Sequence, residues 1–182
     1  MKHESPPIHI DVKALAQTQG VLSGHDLLSK YERLMDESHG LGTDRLLNWQ
    51  ARGELRGDEA GAQQVWLHLV LDLSLPLTCQ RCLAPVDIAV AVDRSFRFVD
   101  SEEAAQEQDP DAPEDVLVLS TEFKLLDLIE DEVLMALPVV ARHDTCPVEV
   151  RLAVADPGFE AATAEKRNPF AVLAELRKPK LD

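Results

Sequence analysis

The stretch that decides the fold is Val65 to Leu77, "VWLHLVLDLSLPL". Val65, Leu67, Leu69, Leu71, Leu73, Leu75 and Leu77 share one face of an extended chain, with His68, Asp72 and Ser74 on the other, because side chains alternate along a strand. A period of two held over seven positions defines a strand whose leucine face must be covered. Downstream, Val86, Ile88, Val90, Val92, Phe96 and Phe98 keep the same phase, broken only by Arg94. Upstream, Leu47, Trp49, Ala51 and Leu55 alternate with Asn48, Gln50, Arg52, Glu54 and Arg56, and "GDEAG" (57–61) turns the chain. Consecutive strands with short connections pair as an antiparallel meander.

The cover comes from "EFKLLDLIEDEVLMALP", where Leu125, Leu126, Ile129, Val133 and Leu137 make one helical stripe and Pro138 stops the helix. Glu130 sits at the margin of that stripe. Such a carboxylate needs a partner, because an unpaired charge there would be costly or would shift its pKa upward. Before the strands, Ile8–Val12 reads as extended, and Leu27, Leu28, Tyr31, Leu34 and Met35 predict a helix over 25–36. Val116–Leu119 reads as a further short strand. In "EKRNPFAVLAELRKPK", Asn168 is placed to cap a helix and Pro169 suits its first position, with Phe170, Leu173 and Leu176 on one side. Arg177 and Lys178 help to make 166–182 the most basic region. The fold class is therefore α+β: an antiparallel β-meander or partly open barrel packed by an amphipathic helix, with an N-terminal helix and a short C-terminal helix. One domain over 1–182 accommodates it.

A formal net charge of −15 argues against a broad nucleic-acid-binding surface, so an RNA role requires a local basic patch or a protein intermediary. Within 100–115, "DSEEAAQEQDPDAPED" carries eight acidic residues and no Lys or Arg, which predicts a mobile acidic loop. No apolar run is long enough to span a membrane and the first residues lack a secretory pattern, so the expected location is cytoplasmic.

In a reducing compartment, three cysteines point to metal or thiol chemistry rather than a disulfide framework. Cys79 and Cys82 stand in "LTCQRCLAPVD", the connection between the two clearest strands, and His143 and Cys146 repeat the two-residue gap in "ARHDTCP". Three thiolates and one imidazole form a donor set for tetrahedral zinc, a structural site in which Arg81 and Arg142 could offset the surplus negative charge. A reduced, metal-free turn and a redox pair remain alternatives. A thioredoxin-type pair opens a helix after a strand, whereas this one sits between strands. No phosphate-binding glycine loop or nucleophile elbow is present, and no small-molecule substrate is indicated.

Three blocks, "LTCQRCLAPVD", "DLIEDEVLMALPVVARHDTC" and "KRNPFAVLAELRK", resemble in order and spacing the bacterial YceD-like family of large ribosomal RNA subunit accumulation proteins, which has plastid relatives. The resemblance implies a non-catalytic role in synthesis, processing or stability of large-subunit (23S) ribosomal RNA, and hence in ribosome biogenesis. Its implied partners are ribosomal RNA precursors or large-subunit assembly particles, and ribosomal proteins. It marks Cys79, Arg81 and Cys82 in the first block, Glu130, Asp131, Glu132, Leu137 and Pro138 in the second, and Asn168, Pro169 and Phe170 in the third. Cys146 also has a counterpart in many relatives, at a variable distance from the histidine. The candidate binding residues are Arg81, Glu130, Asn168, Phe170, Arg177 and Lys178. A cysteine-dependent redox or RNA-modifying enzyme, and a protein-interaction module without RNA contact, are the competing classes.

Overall fold

The computed structural model describes residues 9–57 and 61–149, together with Val154 and Phe170. The chain divides into two compact units, Met1–Cys146 and Pro147–Asp182. In the first, α1 (Val12–Gln17) leads to β1 (Val21–Leu27), a short 3₁₀ turn (Leu28–Lys30) and α2 (Glu32–Glu37). Then come β2 (Leu46–Gly57), β3 (Gln63–Thr78), β4 (Pro85–Val99), α3 (Glu102–Gln108), β5 (Asp115–Val118) and α4 (Leu125–Ala136). The strands form one open sheet in sequence order, with β1 to β4 antiparallel and β5 parallel to β4. The meander is as the alternation predicts, with a parallel strand added beyond the acidic segment.

The leucine face of β3 is the centre of the core. Leu67, Leu69, Leu71 and Leu75 are fully buried with Leu47, Ala51 and Phe96, and Leu125, Ile129 and Val133 of α4 join the same cluster. Pro76 is tolerated in β3 because β2 pairs only as far as Leu73, so at that level β3 has a sheet neighbour on one side alone. Gly53 lets α1 approach the sheet: a Cβ there would lie 2.6 Å from the backbone of Leu15 and Ala16.

The helix expected over 25–36 is instead a strand followed by a turn and a shorter helix. The inward-facing residues of β1 are Leu22, Gly24 and Asp26, so the alternation of that strand is not written in apolar residues. Trp49 explains both of the unusual ones. Its ring fills the place of a side chain at Gly24, and its indole Nε1 donates to Asp26 Oδ2 at 2.7 Å. Lys30 Nζ (2.6 Å) and Tyr31 OH (3.2 Å) complete the Asp26 carboxylate. Burial pushes this carboxyl up, but the three donors outweigh it and hold it below the usual Asp range.

The acidic segment carries α3 rather than an irregular loop. Ser101 accepts from the Ala104 N–H at 3.2 Å, while Glu102 and Glu103 occupy the first turn, where the helix dipole favours negative charge. Arg97 ties the segment to β4 through Glu114 and Gln108, both at 2.6 Å. Ile10 bridges to Phe123 in the antiparallel sense, which accounts for the extended stretch before α1. No helix among the described residues is long and apolar enough to cross a membrane. Asn168, Arg177 and Lys178, with the rest of the basic helix expected over 166–182 apart from Phe170, lie outside the described residues. Phe170 is exposed.

Candidate metal centre

The turn between β3 and β4 is a six-residue corner closed by the backbone. The Cys79 N–H donates to Ala84 O (3.0 Å) and the Leu83 N–H to Cys79 O (2.8 Å), with Leu83 itself in the left-handed region at φ 61°. A second segment lies against this corner, because the Gln80 N–H donates to Ala141 O at 2.8 Å. That bond follows from the placement of α4. With the helix stripe on the sheet and Pro138 ending it, the chain returns past the corner with His143 and Cys146 in reach.

One ligand atom each from Cys79, Cys82, His143 and Cys146 lies within 4.8 Å of all the others. A zinc ion with sulfur at about 2.3 Å sets sulfurs about 3.8 Å apart, so small side-chain movements take this cluster to tetrahedral coordination. The Cys82 Sγ lies 3.4 Å from His143 Nδ1, and the His143 N–H points at Cys79 Sγ at 3.5 Å. Cys79 is fully buried, the other three partly. The four residues fit a metal, since softness, number and convergence all agree.

The electrostatics suit a thiolate ligand. Burial pushes the Cys79 thiol up, but the backbone N–H groups of Cys82, His143 and Arg81, together with the His143 ring, bring its pKa down to about 5. Cys82 is drawn down by the Ala84 N–H, yet burial and the neighbouring Cys79 and Cys146 sulfurs leave it raised overall. Arg81, one of the two arginines that could offset the surplus negative charge, contacts the cluster. Its Nε donates to Cys146 Sγ at 3.0 Å, and its Nη2 to the carbonyls of His143 (2.8 Å) and Asp144 (3.2 Å). Arg142 is exposed and makes no hydrogen bond or ion pair among the described residues, so only one of the two arginines proposed for charge balance engages the cluster.

Glu130, the carboxylate expected to need a partner at the margin of the helix stripe, is nearly buried and finds that partner within the fold. Its Oε1 accepts from the backbone N–H groups of Arg33 (2.7 Å) and Leu34 (3.2 Å), and its Oε2 from Arg33 Nε (2.9 Å). The residue before α2, Tyr31, makes no side-chain cap, so α4 supplies the missing one. Glu130→Ala is expected to cost about 2 kcal/mol by uncapping α2, measured as a shift in the urea midpoint with unchanged slope. Glu130→Gln, which keeps an acceptor oxygen, should lose less. Equal losses would assign the effect to packing.

A second polar cluster escaped the sequence. Glu132 is 2% exposed and receives Arg94 Nη1 at 3.1 and 3.2 Å, while Arg94 Nη2 reaches Asp115 Oδ2 at 2.8 Å. Burial, the largest influence, pushes the Glu132 carboxyl up, and Arg94 only partly offsets it. The signal was the break at Arg94: one inward-facing arginine in an apolar alternation implies a buried acid opposite.

A single open sheet with an α-helical cover and a Cys₃His corner defines a class of protein: an α+β domain with a metal-capable clamp at one hairpin. The family described as "Large ribosomal RNA subunit accumulation protein YceD" matches residues 67–177, and the chain belongs to that family. A relative from Haemophilus influenzae, "Large ribosomal RNA subunit accumulation protein YceD", is 34% identical over 114 residues, which are 59% of this chain and 63% of the relative. The chain thus spans less than two thirds of that relative's length. No solved structure matches.

Proposed function

We propose that the protein is a cytoplasmic, non-catalytic factor that sustains accumulation of large-subunit (23S) ribosomal RNA during ribosome biogenesis, with a structural zinc ion on Cys79, Cys82, His143 and Cys146. The family match carries the RNA role. The observation that carries the site is the convergence of four soft or imidazole donors within 4.8 Å from segments 61 positions apart. Bound zinc would supply cross-linking, a fixed corner in place of a flexible hairpin tip. Around it, Arg81 holds the return segment by its carbonyls. In this reading the braced corner and the basic 166–182 region present the protein to precursor particles or ribosomal proteins, and the acidic remainder discourages nonspecific RNA contact. A redox role is poorly supported by a Cys79 sulfur that solvent cannot reach, since exchange needs access to the attacked or attacking atom.

Loss of the gene is expected to lower the ratio of large- to small-subunit ribosomal RNA, with full-length protein restoring it and protein lacking residues 165–182 failing to restore it or to sediment with precursor particles. An unchanged ratio overturns the proposal. Crosslinking in cells separates direct RNA contact, which recovers ribosomal RNA covalently, from action through a ribosomal protein.

A further inference from the structure

We propose that Cys82 and Cys146 form an oxidation site: a peroxide joins their two sulfurs as a disulfide, and the clamp gives up its ion. Loss of the ion rests on the structural-zinc reading above, whereas the pairing of the two thiols stands without it. Three sulfurs gather at the corner, each within 4.8 Å of the other two. A disulfide needs its sulfurs at about 2.05 Å, so the two that bond must be free to approach. Access to solvent and freedom to move choose the pair.

Cys79 has neither. It is fully buried within the apolar core, and its backbone is held on both sides, the N–H donating to Ala84 O at 3.0 Å and the carbonyl accepting from the Leu83 N–H at 2.8 Å. A dissolved oxidant does not reach its sulfur, and drawing that sulfur out toward a partner would open a cavity in the core. Cys82 and Cys146 are half-buried and flanked by exposed residues, Arg81 and Leu83 beside the one and Thr145 beside the other. The same burial that argues against a Cys79–Cys82 redox couple therefore leaves the second and third cysteines as the reactive pair. Of these, Cys146 is the one attended by a cation: Arg81 Nε donates to its sulfur at 3.0 Å. A guanidinium in that place stabilises negative charge on the sulfur and on an oxygen departing from it, which makes Cys146 the attacking thiolate and Cys82 the resolving one.

The chemistry balances with a peroxide as the oxidant. The Cys146 thiolate attacks one peroxide oxygen, so that an S–O bond forms, the O–O bond breaks and hydroxide leaves. The Cys82 thiolate then attacks the sulfenic sulfur; the S–S bond forms, the S–O bond breaks and a second hydroxide leaves. Two electrons pass from the two sulfurs to one hydrogen peroxide. Cys79 and His143 are left as the only donors, and two donors do not hold a zinc ion that needs four. The new bond joins the same two segments that the ion joined, so a metal fastener is exchanged for a covalent one and the corner stays closed. A dithiol reductant reverses the exchange.

Peptide mapping of the oxidised full chain tests the pairing directly. Cleavage after arginine places Cys79, Cys82 and Cys146 in three separate peptides, 57–81, 82–94 and 143–151. Hydrogen peroxide in excess, followed by alkylation of the remaining thiols, is expected to link 82–94 to 143–151, to leave Cys79 alkylated and to release the zinc. A dithiol with added zinc should restore the starting state. In Cys82→Ser, a diketone that traps sulfenic acids should label Cys146. Cys79→Ser should still form the same link, since the reactive pair is untouched. A link that involves 57–81, a sulfenic acid at Cys79, separate higher acids on Cys82 and Cys146 in place of a disulfide, or three thiols that survive the peroxide would each overturn the site. Surviving thiols with zinc still bound would do so while leaving the structural-zinc reading intact. A chain that carries no zinc as purified, yet forms the 82–94 to 143–151 link, would defeat the zinc reading alone and uphold the pairing.

Discussion

Cys79→Ser is expected to abolish the proposed zinc binding and lower the melting temperature by about 10 °C, the largest single effect on this fold. Three reasons combine at this position. The sulfur is fully buried, three backbone N–H groups are aimed at it, and it belongs to the corner that holds the segment following α4 against the sheet. Serine keeps the volume but is a poor zinc ligand, and removing one ligand of a closed four-ligand site costs most of the affinity. Protein purified without chelators should carry one zinc per chain, and the variant close to none. A strong chelator should bring wild-type protein down to the melting temperature of the variant and leave the variant unmoved. Wild-type protein that carries no zinc as purified and melts no higher than Cys79→Ser, with or without chelator, would leave the four residues as an unfastened turn.

The second large effect concerns Arg94. Arg94→Leu should destabilise by ~2 kcal/mol at pH 7, below the usual range for a broken buried pair because the Arg94 side chain keeps 38% exposure. The cost arises at its partner: Glu132 would remain almost fully buried without its guanidinium. Adding Glu132→Leu should recover most of the loss, since an apolar pair in an apolar setting leaves no charge stranded. The pH dependence follows from the raised Glu132 pKa. A carboxyl whose folded pKa lies above its unfolded value binds more protons in the folded state, so its contribution is most favourable below the ordinary Glu value of 4.5 and is lost as pH rises through the folded value. Removing Arg94 raises that value further. Urea unfolding should show a large difference between wild type and Arg94→Leu at pH 7 and a small one at pH 4. Equal differences at both would show that the arginine acts through packing alone.

What the sequence made legible was whatever apolar alternation could write. Val65 to Leu77 and Val86 to Phe98 specified two strands and their common buried face, and the stripe on α4 specified the element that covers it. The metal-capable cluster was legible for the same reason: once the helix docks on the leucine face, the connection after Pro138 has to pass the hairpin that bears Cys79 and Cys82. The strand at Val21–Leu27 was hidden because its inward residues are small or acidic, and Gly24 and Asp26 make sense only after Trp49 is placed beside them. The helix at Glu102–Gln108 was hidden by its charge. Its acids were read as a solvated run, whereas Ser101 caps the segment and Arg97 anchors Glu114 just beyond it. Propensity to order came from two arginines on β4, distant in sequence from the acids they hold.

The separation of the clamp's two halves has a consequence for how the chain matures. During synthesis Cys79 and Cys82 emerge with β3 and β4, while His143 and Cys146 emerge only after α4, so a nascent chain holds half a coordination sphere until the whole sheet and its covering helix have been made. Capture of the proposed zinc ion would thereby be coupled to completion of the first unit. Metal scarcity would then act on newly made chains before it acts on finished ones, because a mature site has all four donors gathered and a nascent one does not.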